Sequence, residues 1–106
     1  MTPPDWTQAE EIIARNAFNV GNQRSIDSLI EALKIRSQSL ETVDSIWDFH
    51  DFLSTERHLH EGRAVFDFSN ILFTLAEMLK QQLISLDQLE GLDPKKLSKI
   101  KSMTLF

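Results

Sequence analysis

Residues 7–40 read TQAEEIIARNAFNVGNQRSIDSLIEALKIRSQSL, and this stretch decides the fold class. It contains no proline, and Thr7 followed by Glu10 is the capping-box pattern that begins a helix. Gly21 is its weakest position, because glycine in a helix interior costs about 1 kcal/mol relative to alanine. The stretch therefore predicts one long helix that runs to about Leu40.

The second half of this helix carries an apolar seam. Its members are Ile26, Ile30, Leu33, Ser37 and Leu40, spaced by 4, 3, 4 and 3 residues. This a/d-type spacing is typical of a helix that packs lengthwise against another long helix. The seam is short and contains a serine, so it predicts packing against a long helix more strongly than a regular coiled coil.

Further helices follow along the chain. Thr42 is a candidate N-cap for a second helix over about 43–61, with Gly62 available as its C′ residue. A third helix is predicted over about 64–82, and its apolar residues lie on so many sides that we expect it to be mostly buried. Ser85 can cap a short turn, and Asp93-Pro94 is an N-cap followed by proline at the first position of a last helix. No stretch predicts a strand, so the fold class is all-α.

Composition limits the classes of protein that the chain can belong to. Its 106 residues are 42% hydrophobic and 25% charged, which is ordinary for one folded domain. The absence of cysteine excludes disulfides, thiol catalysis and cysteine-ligated metals. No apolar run has the length of a membrane span and no secretory leader is present, so we expect a cytoplasmic protein without membrane insertion. A chain this short cannot cover all apolar faces of long helices, so we expect self-association.

Charge is unevenly distributed along the chain. Residues 1–93 hold all the acidic side chains and carry a net charge of −9, whereas residues 94–106 carry +4. An acidic body repels phosphates, so we expect no nucleic-acid partner. The lysines fit a solvated helix face near a helix C-terminus.

The second predicted helix has two different faces. One face carries the polar and aromatic residues Trp47, His50, Asp51, Ser54, Arg57 and His58. Ile46, Phe49 and Leu53 lie on roughly the opposite face, where core packing explains them. Tryptophan and arginine among small polar groups are typical of interface hot spots. The residues alone leave three readings open: local bonding at a core edge, a protein interface, or catalysis.

Catalysis and metal binding find little support in this pattern. His50, Asp51 and Ser54 have the residue types of a triad, but neighbouring side chains on one helix are expected to diverge. His58 and His60 lie on different faces and no histidine pair has i,i+4 spacing, so we expect no metal site within one chain. The sequence also has no glycine-rich phosphate loop. We therefore expect no catalytic residues and no cofactor.

Three motifs resemble one known family. WDFHDFLSTERH at residues 47–58 resembles the signature of the fluorescence recovery protein family, W-x-x-H-D-[YF]-L-S-x-x-R. WTQAE at residues 6–10 and SKIK at residues 98–101 resemble its N-terminal and C-terminal motifs. The motifs occur in the family's order over essentially the whole chain.

The resemblance implies a fold and a function. It implies an elongated all-helical homodimer, with extended dimerising helices over about 1–62 and a compact helical head over about 63–106. Family members bind the photoactivated red form of the orange carotenoid protein, mainly through its C-terminal domain. They accelerate its return to the orange form and its release from the phycobilisome, which ends photoprotective quenching, and they need no cofactor. The implied location is the cytoplasm, in association with phycobilisomes on the cytoplasmic side of the thylakoids.

The resemblance also implies site residues. Trp47, His50, Asp51 and Arg57 match the family's functional patch, and Phe73 and Lys99 match positions of the head that contact the partner. Ile30 and Ile46 match apolar positions at the family's dimer interface, and Leu33 is added because it lies on the same apolar seam as Ile30. The alternative is a dimeric helical interaction module that acts on a different client, in a source without an orange carotenoid protein.

Overall fold

The structure is a computed structural model that describes residues 2–106. Its elements are the helices α1 (Gln8–Ser37), α2 (Val43–Glu61), α3 (Ile71–Lys80) and α4 (Pro94–Met103), with a 3-10 turn (Leu86–Leu89) before α4. No strand occurs among the described residues. The all-α prediction is confirmed.

Helix α1 begins where the capping box predicts. The Thr7 hydroxyl accepts a hydrogen bond from the Glu10 amide at 3.0 Å, and the Thr7 amide donates to Glu10 Oε1 at 3.0 Å. Gly21 is buried where α1 approaches α3, and a Cβ there would lie 2.4 Å from Met78 Sδ. The residue with the weakest helix propensity therefore leaves the space that the Met78 side chain of α3 occupies against α1.

Helix α2 begins and ends as predicted. Thr42 caps it through the Ser45 amide at 3.1 Å, whereas Gly62 is its C-cap and not the predicted C′ residue. Gly62 has φ −67°, in the right-handed region, so this end does not use the left-handed conformation that favours glycine. No residue of α2 is buried within the chain.

Helix α3 is shorter than predicted, because it begins at Ile71 and not near Ala64. The residues before it form a connection in which Phe66 packs edge-on against Phe18 and Phe68 packs edge-on against Trp6. Aromatic residues pack into a core from a loop as well as from a helix, so an apolar run does not reveal this difference. The expectation of a mostly buried helix is correct on one face only, since Phe73 is 58% exposed.

The hydrophobic core lies at one end of an elongated molecule with extents of 54 × 25 × 21 Å. It joins the first half of α1 with α3, α4 and the 3-10 turn. Its largest fully buried side chains are Ile71, Leu75, Met78, Leu89 and Ile100. The compact part thus includes Trp6, which precedes α1, and Ala14, Ala17 and Phe18 of α1, as well as residues beyond 63.

The remaining part of the molecule projects from this core. Residues 26–61, here called the arm, comprise the second half of α1 and all of α2, and none of them is buried. Among residues 2–106 no helix combines the length and apolar character that crossing a membrane requires.

Candidate functional site

The outward face of α2 displays four of the predicted site residues together. Trp47 is 58% exposed, and His50, Asp51 and Arg57 are also exposed. Exposure of a large indole to water is unfavourable, because burying apolar surface stabilises a protein by about 25 cal/mol per Å². Residues 2–106 leave more than half of Trp47 uncovered, so its indole is available to an external partner.

His50 and Asp51 are closer than the helix periodicity predicts. His50 Nδ1 lies 3.3 Å from Asp51 Oδ1, so the expectation that these neighbours diverge is wrong. Both side chains are more than 70% exposed, and a contact in water between such groups is weak. Within residues 2–106 Ser54 hydrogen-bonds to neither of them, so the three do not form a triad.

Arg57 pairs along its own helix. Its Nε donates to Glu61 Oε1 at 2.8 Å. The hydrogen bond to Glu61 raises the pKa of Arg57 above its ordinary value. Because the pair is exposed, a partner can replace Glu61 at little cost to the fold.

A polar cluster that the sequence did not predict ties the end of α2 to α1. His60 Nε2 lies 3.4 Å from the Ser25 hydroxyl and 3.6 Å from Glu56 Oε2. The Arg63 guanidinium donates to the same Ser25 hydroxyl at 3.2 Å. Ser25 and His60 are 35 residues apart, so no local spacing signals this contact. The described residues contain no group of three histidine, aspartate or glutamate side chains arranged to hold a metal ion.

Phe73 and Lys99 meet in a groove between α3 and α4, here called the α3–α4 groove. Its volume is about 570 Å³. Trp6, Phe68, Leu72, Phe73, Lys95, Lys99 and Met103 are among the residues that line it. None of the four residues on the outward face of α2 lines this groove, so the predicted site residues form two separate surfaces.

The predicted interface residues lie uncovered on the arm. Ile30 is 46% exposed and Ile46 is 47% exposed, while Leu33 is partly buried. Ile46 was expected on the buried side of its helix, but α2 buries no residue within one chain. A groove of about 660 Å³ between α1, α2 and α3 continues this surface through Leu29, Phe52 and Leu59.

The sequence of this chain matches a protein-family model. That family is described as photoprotection regulator fluorescence recovery protein, and the match covers residues 6–104. The chain belongs to the fluorescence recovery protein family. Membership supports a role as a photoprotection regulator, and the family implies interaction with the orange carotenoid protein.

Individual relatives agree with the family match. The chain is 35% identical over 98 residues to the fluorescence recovery protein of Synechocystis sp. (strain PCC 6803), covering 92% of this chain and 90% of that one. The solved structure of the Fremyella diplosiphon fluorescence recovery protein matches with TM-score 0.87 and 34% identity, over 95% of this chain and 99% of that one. The Synechocystis structure matches with TM-score 0.86, 34% identity and the same coverage.

Proposed function

We propose that this family member binds the photoactivated red form of the orange carotenoid protein, mainly at its C-terminal domain. It accelerates the return to the orange form and promotes release from the phycobilisome, so that quenching ends. The observation that carries the proposal is the exposed face of α2, where Trp47 is 58% exposed beside His50, Asp51 and Arg57. This role places the protein in the cytoplasm, beside phycobilisomes on the thylakoids.

The composition of the α2 face supports a protein interface. Tryptophan and arginine are the residues that most often dominate binding energy, and they act best when the complex removes them from water. Trp47 supplies the apolar anchor, and the Arg57 guanidinium exchanges Glu61 for an acceptor on the partner. His50 and Asp51 add polar groups beside the indole.

The physical basis of the activity is differential binding. A protein that accelerates relaxation must stabilise the barrier state, or a compact intermediate, more than the open starting form. A homodimer formed through Ile30, Leu33 and Ile46 presents two copies of each surface. Contact with two parts of the partner then raises their effective concentration and favours compaction.

The direct test follows the red-to-orange absorbance change of the orange carotenoid protein in darkness. Wild type should accelerate this change, and Trp47→Ala and Arg57→Leu should each lose about tenfold or more of the acceleration. Both variants should keep their helix content, because neither side chain is buried.

Glu61→Gln is the matched control for Arg57→Leu, because it removes the ion pair and keeps the guanidinium. We expect Glu61→Gln to act like wild type or faster. Full activity of both Trp47→Ala and Arg57→Leu would show that the site is elsewhere. No acceleration by wild type would favour a different client.

A further inference from the structure

The arm meets the core at a set of polar side chains, here called the junction. Its members are Asn22, Ser25, His60, Arg63 and Gln81. No residue of α2 is buried within the chain, so apolar packing inside one chain does not fix the angle of this helix. Hydrogen bonds are directional, and those of the junction therefore constrain how α2 lies against the core.

Arg63 bonds to both sides of the junction. Its Nη2 donates to the Ser25 hydroxyl of α1 at 3.2 Å, and its Nη1 donates to Gln81 Oε1, just after α3, at 3.1 Å. Its carbonyl accepts a hydrogen bond from Asn22 Nδ2 at 3.3 Å. Because the guanidinium donors form a rigid planar fork, these bonds fix directions as well as distances. One residue thus ties the end of α2 to α1 and to the end of α3.

Stability alone does not explain the placement of Arg63. Within residues 2–106 it forms no ion pair, and its Nε is buried without a hydrogen-bond acceptor. An unpaired buried donor destabilises a fold, so part of the stability that the two guanidinium bonds contribute is lost. What the arrangement does provide is a fixed geometry between three elements.

The junction controls a surface some distance away. His60, in the last turn of α2, lies 3.4 Å from the same Ser25 hydroxyl. Trp47 lies about 20 Å from His60 along this helix, since each residue adds about 1.5 Å. A tilt of about 10° at the junction therefore displaces the indole by about 3 Å, roughly the length of a hydrogen bond.

We propose that Arg63 is a positioning residue, which holds α2 at one angle to the core and so places the outward face of α2 on the partner. This inference rests on the proposed function, because it takes the activated orange carotenoid protein as the partner. Arg63 acts through Trp47 and Arg57 and does not itself contact the partner.

A positioning role separates affinity from acceleration. Attachment to the partner tolerates a small displacement of α2, because exposed side chains can adapt to it. Stabilising the barrier state of the red-to-orange change requires accurate placement of the same groups. Loosening the junction should therefore lower the acceleration more than the affinity.

The test follows the activated orange carotenoid protein in darkness and measures two quantities, the maximum acceleration at saturation and the protein concentration that gives half of it. Arg63→Gln should lower the maximum about fivefold and change the half-maximal concentration less than about twofold. Ser25→Ala should lower the maximum in the same way, although Ser25 is buried and out of reach of a partner. The double variant should be no slower than Arg63→Gln alone, because both changes remove one contact.

Arg24→Gln is the matched control. Arg24 also bonds across elements, to the Leu83 carbonyl at 3.0 Å, but within residues 2–106 it has no hydrogen bond to α2. Arg24→Gln should keep the maximum acceleration within about twofold of wild type, even if its thermal midpoint falls. Arg63→Lys keeps the charge and loses the fork, so it should resemble Arg63→Gln. Ser25→Ala decides the question alone if circular dichroism shows that Arg63→Gln does not fold.

Several results would overturn the proposal. A wild-type maximum in Ser25→Ala is one, and a loss confined to the half-maximal concentration is another, because Arg63 would then bind the partner directly. Additive losses in the double variant, or full acceleration by Arg63→Lys, would show that the shared geometry is not what matters. An equal loss in Arg24→Gln would reduce the effect to general destabilisation. Failure of wild type to accelerate the change refutes the proposed function itself, a result distinct from failure of the junction variants.

Discussion

Glu10 links the start of α1 to the start of α4. Its carboxylate is almost fully buried and accepts hydrogen bonds from the amides of Thr7 and Asp93, at 3.0 and 2.9 Å, and from Lys96 Nζ. The bond from Asp93 contributes most to lowering the pKa of Glu10, which lies at about 2. The sequence predicts the Thr7 bond from local spacing. Asp93 and Lys96 are 83 and 86 residues away, so their contacts could not be predicted from it.

Replacing Glu10 with glutamine should make unfolding less dependent on pH. The pKa of the carboxyl group is lower in the folded chain than its ordinary value of 4.5, so its contribution to stability is present above pH 4.5 and is lost as the pH falls towards about 2. Near pH 7, Glu10→Gln should lose about 2 kcal/mol of unfolding free energy, since it weakens buried charge-assisted bonds.

Urea unfolding at fixed protein concentration measures this pH dependence. The stability difference between wild type and Glu10→Gln should shrink steadily below pH 4.5. Asp87→Asn is a control at an exposed carboxylate that has no contact with Glu10, and its stability should follow that of wild type at every pH. A stability difference that stays constant with pH would contradict the assigned role of the carboxylate.

At the scale of elements, the predictable features are those that depend on local chemistry. Capping residues fixed the starts of α1, α2 and α4, because Thr7, Thr42 and Asp93 bond within three residues of themselves. The predicted start of α3 was wrong. The Asn70 side chain forms no capping hydrogen bond that would mark the true start, and the apolar residues before it pack as a loop. The packing of α1 against α3 depends on Gly21 and Met78, which are far apart in the sequence, so no local pattern predicts it.

Alanine at Gly21 should destabilise the crossing of α1 and α3. The new Cβ would lie 2.4 Å from Met78 Sδ, and Met78 is fully buried, so the sulfur has little room to move. We expect a loss of about 1–3 kcal/mol from overpacking, against a gain in helix propensity of about 1 kcal/mol. Denaturant unfolding monitored by circular dichroism measures the net loss.

Gly62→Ala is the matched control for Gly21→Ala. Its Cβ would lie 3.5 Å from the nearest atoms, an ordinary contact, and its φ suits alanine. Its stability should equal or exceed that of wild type. If Gly21→Ala is as stable as Gly62→Ala, the close helix approach does not constrain residue 21.

For the whole molecule, the arm poses the problem of uncovered apolar surface. Most exposed large apolar residues among residues 2–106 belong to it, namely Ile26, Ile30, Ile35, Leu40, Val43, Ile46, Trp47, Leu53 and Leu59. The seam in α1 was visible in the sequence as a helical repeat. The short chain also predicted that some apolar surface would stay uncovered, but not that the whole arm would, because that depends on how the core at the other end draws α3 and α4 away from α2. Monomeric proteins rarely expose a large contiguous apolar surface, so the arm favours association.

Glutamate at Ile30 or Ile46 should dissociate the proposed homodimer, because each substitution introduces a charge into an interface that would be desolvated. Light scattering over a range of concentrations should give the mass of a dimer for wild type and of a monomer for both variants. The thermal midpoint of wild type should rise with protein concentration, since association stabilises the folded state, whereas that of the variants should not.

Val65→Glu introduces the same charge at an 80% exposed residue between α2 and α3, and it should remain dimeric. If both Ile30→Glu and Ile46→Glu remain dimeric, the dimer interface lies outside the arm. The exposed seam would then be free to bind another protein.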